Sequence, residues 1–153
     1  MATLLGKTFP ADPAGQTLLK NVKAALRNLT GVGDNFAGTY LPPPERLKLA
    51  GDELRPGYQN LWQMCSIKFD EDQSGAEMKP NYQMEIGPYF LRSDTTVADL
   101  EKLLLHEFLH DALTPSGVGG ETGYAYDHTR INHIIRDVLK YPGPPNPVNP
   151  SED

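Results

Sequence analysis

The stretch from Thr96 to Leu113 constrains the fold of this chain more than any other. Thr96 with Asp99 three residues later makes a capping-box-like pair, and Asp99 also suits the positive end of a helix dipole. Leu100, Leu104, Leu105, Phe108, Leu109 and Ala112 then form one broad apolar side at helical spacing, while Leu103, His106, His110 and Leu113 run along another. Thr114-Pro115 ends the helix, because the residue before a proline is pushed out of helical geometry. The pattern predicts a helix from about Val97 to Leu113 that buries its back and presents its histidines.

Around this helix the sequence alternates between helical and strand-like periods. Leu18, Leu19, Val22, Leu26 and Leu29 predict an amphipathic helix over Thr17 to Leu29, stopped by Gly31. Gly31 to Pro44 reads as a loop, and Glu45 to Leu54 as a short helix. Leu61 to Phe69 and Tyr82 to Leu91 alternate with period two and predict two strands, paired antiparallel. The acidic Asp70 to Gly75 segment between them resembles part of an EF-hand loop but has Asn81 where the bidentate Glu belongs, so it reads as a solvated turn. Ile131, Ile134, Ile135, Val138 and Leu139 predict a closing helix, with Asp127 available as its cap and Pro142 as its stop. The expected fold class is α+β.

His106, Glu107 and His110 fit the pattern H-E-x-x-H, in which two imidazoles four apart share a helix face beside a carboxylate. A catalytic zinc takes three protein ligands and keeps a fourth position for water, so a further ligand is needed. His128 and Asp127 flank the buried face of the predicted closing helix at its start, and either can reach a metal held by the preceding helix. Glu121 in the intervening loop is a further candidate, whereas His133 points away from Ile131 toward solvent. Tyr124 and Tyr126 flank the same turn, where a phenol could donate to a developing oxyanion.

The HEFLH motif resembles that of the zincin metallopeptidases. Its pairing with the downstream GGETGYAYD resembles the aspzincin branch, with Tyr126 in the place of that pattern's tyrosine and Gly123 where its aspartate ligand would stand. The Asp127-His128 pair also resembles SprT-type zincins, in which a third histidine opens a helix after a loop. Ser116 occupies the position at which a metzincin would have its third histidine. The resemblance implies a compact zincin-like domain with a small, mostly antiparallel sheet, an HExxH helix and a C-terminal closing helix. It implies one catalytic Zn2+, Glu107 as general base and acid, Tyr126 as a catalytic phenol, and a peptide or protein substrate. It also implies an edge strand that takes up extended substrate, for which Tyr82 to Leu91 is the candidate. The alternative expectation is a non-catalytic module of the same fold that binds a peptide or protein.

Composition narrows the remaining choices. At 153 residues the chain is most simply one domain over 1–141, with the Pro- and Asn-rich 142–153 as an extended or flexible tail. A net charge of −6 with no Lys/Arg cluster argues against nucleic acid, and no 18-residue apolar span predicts a membrane segment. The N-terminus lacks the basic and apolar regions of a secretory signal, so the expectation is cytoplasmic by default. Cys65, the single cysteine, sits in an apolar stretch and reads as a core residue.

Overall fold

The computed structural model describes residues 2–30, 57–113 and 124–147. The loop expected over Gly31 to Pro44 and the helix expected over Glu45 to Leu54 lie outside these residues, as does Glu121. In chain order the described elements are β1 (Thr3–Leu4), α1 (Pro13–Thr30), α2 (Tyr58–Met64), β2 (Ser66–Phe69), β3 (Ala76–Lys79), β4 (Gln83–Ile86), α3 (Val97–Ala112) and α4 (Tyr124–His133). Helix α4 runs on into a π-helical turn over Ile134–Val138.

The α+β class holds, but the sheet is mixed, not mostly antiparallel. Its order is β1-β2-β4-β3, with β1 and β4 both parallel to β2 and only β3 antiparallel to β4. The expected antiparallel pair is therefore parallel, with Ile67 opposite Met84 and Phe69 opposite Ile86. The reason is the extra strand β3. Asp70 turns the chain through an Asx bond, its Oδ1 accepting from Asp72 N–H at 2.9 Å, and β3 then runs back along the far edge. Asn81 and Tyr82, both in the left-handed region at φ 64 and 58, return the chain into β4.

This topology makes β4 an inner strand, so the edge lies on Ala76–Lys79 and not on Tyr82 to Leu91. Both expected strands are also shorter than their alternation suggests. Residues 58–64 are helical, and Pro88–Leu91 forms a 3-10 turn. At the junction of β3 and β4, Gly87 N–H donates to Gly75 O at 2.7 Å, and a Cβ on Gly87 would collide with the Gln73 carbonyl. Only glycine fits there.

The pleat separates the two faces of the sheet. Ile67, Phe69, Met84 and Ile86 are buried on one face, whereas Ser66, Lys68, Gln83, Glu77 and Lys79 belong to the other. Helix α1 buries Leu18, Leu19, Val22, Ala25, Leu26 and Leu29, as its spacing predicts, and begins at Pro13, a residue suited to a first helical turn. Asp12 assists this start by accepting from Gly15 N–H at 2.8 Å.

Helix α3 packs against α1, β3, β4, α2 and α4, and every residue from Leu100 to Leu109 is buried. The expected division into a buried back and an exposed histidine face is thus corrected: α4 and β3 cover that face too. The capping box forms as read, with Thr96 Oγ1 accepting from Asp99 N–H and Asp99 Oδ2 accepting from Thr96 N–H, each at 3.1 Å. Among the described residues no helix is long and apolar enough to cross a membrane. Cys65 is buried, as expected, and burial pushes its thiol up to about 12.

Trp62 of α2 anchors α3 directly. It is fully buried against Phe108, ring centroids 5.2 Å apart, and its Nε1–H donates to Thr30 Oγ1 at 3.4 Å. We expect Trp62→Ala to lower the unfolding free energy by about 3–5 kcal/mol, read as a lower urea midpoint at unchanged m. A loss below about 1 kcal/mol would show that Trp62 is not an anchor of the helix.

Candidate metal centre

The two motif histidines owe their proximity to helix geometry, and the third arrives from a distant segment. His106 and His110 are one turn apart on α3, with ring centroids 5.0 Å apart. Helix α4 lies against α3 and brings His128 to 5.1 Å from His106 and 5.2 Å from His110, centroid to centroid. The three rings form a nearly equilateral triangle. One ligand nitrogen from each lies within 4.8 Å of the others, so the three are close enough to bind one metal ion. Among the described residues this is the one such group of His, Cys, Asp and Glu side chains.

The surroundings favour the ligating form of the imidazole. His106 is 4% exposed, and burial first, then the neighbouring His110 and His128, pushes its pKa down to about 3. A metal binds neutral imidazole, which His106 already is at neutral pH. Its Nδ1 is buried without a hydrogen-bond partner among the described residues. Leaving such an atom unpaired costs about 1–3 kcal/mol. A neutral imidazole has one lone pair to give a cation, and the all-imidazole donor set fits zinc and other borderline divalent metals.

Glu107 stands beside this triangle, 7% exposed. Burial pushes its carboxyl up to about 8, the nearby Glu77 and Asp111 charges add to that rise, and the Met78 backbone N–H works against it. Met78 belongs to the edge strand. Because Gly75 and Gly87 form a hydrogen-bonded pair, ladder parity gives the same to Glu77–Glu85 and turns the amides of Ala76 and Met78 outward. The Glu107 carboxyl therefore meets the outward face of the sheet edge at the Met78 amide.

Of the residues read from sequence, His106, His110 and His128 come together, and Glu107 is buried next to His106 on the same helix. Asp127 lies inside helical backbone that includes Tyr124, so it is not the cap of α4. The side chains of Tyr124, Tyr126 and Asp127 fall outside the described residues. His133 is half exposed and pairs with Asp137 at 3.0 Å, away from the triangle, as its wheel position predicts. The sequence reading missed Met78. Its signal was the Ala76–Lys79 alternation, muted because Ala, Glu and Lys are weak strand formers. No protein family, curated protein or solved structure matches this chain.

The buried ionisable groups give the metal-free protein a defined pH response. Unfolded His106 takes up a proton near its ordinary 6.5 and the folded residue only near 3, so the unfolded chain binds more protons in that window and stability falls on acidification. Glu107 has the opposite sign: its folded carboxyl holds a proton up to about 8, so its contribution, full below about 4.5, is lost as pH rises through 8. In metal-free protein, Glu107→Gln should gain stability relative to wild type as pH rises from 5 to 8. His106→Leu should gain as pH falls below 6.5. Urea unfolding across pH reads both differences, and a pH-independent difference would contradict the buried environments assigned here.

Proposed function

We propose that this chain is a zinc-dependent endopeptidase of zincin type, with His106, His110 and His128 as ligands of one catalytic ion and Glu107 as general base and acid. The observation that carries the reading is the triangle of imidazoles from two helices, with a buried carboxylate on the residue that follows His106. His128 is the third ligand of this reading because it is the residue found within the cluster, whereas the side chain of Asp127 lies outside the described residues. When bound, zinc supplies a Lewis acid that holds a water, lowers its pKa toward about 7, polarises the scissile carbonyl and favours the ionised form of Glu107.

Glu107 then accepts the proton of the attacking water and returns it to the departing amine. Its burial keeps bulk water from competing for that proton. The outward amide of Ala76 and the outward carbonyls of Ala76 and Met78, on the strand whose Met78 N–H donates to Glu107, offer an extended peptide groups to pair with. On this reading an extended substrate would pair with β3, because a peptide backbone is the chemistry such an edge recognises. Tyr126 remains the candidate phenol for the oxyanion.

The decisive variant is Glu107→Gln, which keeps the side chain's size and removes its basicity. It should retain one zinc per chain and lose about 10²–10⁴-fold in kcat on a mixed peptide library. Undiminished hydrolysis in metal-clean protein would contradict the assignment. Stoichiometric zinc in wild type with no cleavage at any pH would favour the peptide-binding module instead.

A further inference from the structure

Two buried ionisable residues on α3 take no part in the metal centre. Glu101 and Lys102 stand one turn before His106, exposed by only 2% and 3%. Both reach the same partner, the segment that follows the π-helical turn. Lys102 Nζ donates to the carbonyls of Pro142 at 3.0 Å and Pro144 at 2.9 Å, and lies 3.6 Å from Asp99 Oδ1. Tyr141 O–H donates to Glu101 Oε1 at 3.4 Å. Residues read from composition as an extended or flexible tail are therefore pinned over 141–147, with Tyr141 and Asn146 buried; 148–153 lie outside the described residues.

Prolines donate no amide but still offer carbonyls, and composition does not show where those carbonyls are used. Two of those carbonyls satisfy a buried ammonium that would otherwise be costly. The chain is shaped for the contact. Lys140 turns left-handed at φ 57, Tyr141 N–H closes on the Ile135 carbonyl at 3.0 Å, and Gly143 follows at φ 76. A Cβ at Gly143 would stand 3.2 Å from Lys102 Nζ, so glycine serves both the backbone and the approach of the lysine.

Traced in space, the contacts close a ring. From His106 one turn back along α3 leads to Lys102, across to Pro142 and Pro144, back through Tyr141 and Ile135, and along α4 to His128. The helix that carries two imidazoles and the helix that carries the third are thus tied at a point remote from the ligands. We propose that the Lys102 latch on residues 141–144 is a positioning device for His128, fixing α4 against α3 so that the third imidazole is held at the metal centre. The proposal rests on the metal-centre reading. Lys102 and Gly143 are its positioning residues, and neither touches the three ligands.

The test is a double-mutant cycle on zinc affinity, measured on the full chain by competition with a chromophoric chelator. Lys102→Met removes the latch from the helix side and Gly143→Ala strains it from the strap side. Each should weaken zinc binding about 10–100-fold, the range for residues that orient ligands. In the His128→Ala background neither should weaken it further, because a displaced ligand matters only while it is present. Unchanged affinity, or an equal loss with and without His128, would overturn the proposal.

Amide exchange in metal-free protein supplies a second arm that needs no zinc. Lys102→Met should speed exchange at least tenfold over α4 while α1 keeps its protection. If exchange over α4 stays at the wild-type rate, the latch does not hold that helix and the proposal fails. If wild-type protein binds no zinc, the metal-centre reading fails and the positioning role with it, and the exchange arm shows whether the tie between the helices survives on its own.

Discussion

Helix α3 is enclosed on every side, and the position of each other element is legible from what it covers. Its leucines and Phe108 fill the space between α1, α2 and the sheet, and its histidine face is closed by β3 and α4. A helix buried all round has no solvated face on which to place polar groups, so the polar groups it does carry need a reason to be there. Glu101 and Lys102 find theirs in Asn28, Tyr141 and the proline carbonyls. His106 keeps its Nδ1 buried without a partner among the described residues, and two further imidazoles stand about 5 Å from its ring, close enough for the three to bind one metal ion.

The same enclosure ties electrostatics to geometry. Burial lowers the His106 pKa and raises that of Glu107, which leaves a neutral ligand and a protonated acid side by side in the metal-free protein. A divalent charge at the triangle would reverse the balance at Glu107 without requiring any change at His106. The edge strand joins this arrangement through the Met78 amide, which donates to the Glu107 carboxyl.

Much of this was readable before any coordinates. The capping pair Thr96 and Asp99, the helix it starts and the two motif histidines follow from helical periodicity, which is a local property, whereas His128 was one of several candidates until the docking of α4 brought it to the pair. What escaped was non-local. The direction of β2 relative to β4 depends on β3, whose four residues carry too little hydrophobic contrast to announce a strand. The closure of the histidine face depends on where α4 docks, and no spacing within α3 records that. The strap over 141–147 was hidden because its anchor lies forty residues upstream, in a lysine that resembles any surface lysine in sequence.

The central claim is that His106, His110 and His128 hold one metal ion together, and zinc K-edge absorption on the zinc-loaded chain tests it most directly. The account predicts three imidazole nitrogens and one oxygen at about 2.0–2.1 Å from the ion, falling to two imidazoles in His128→Ala. A spectrum with fewer than three imidazoles in the wild type, or one that His128→Ala leaves unchanged, would contradict it.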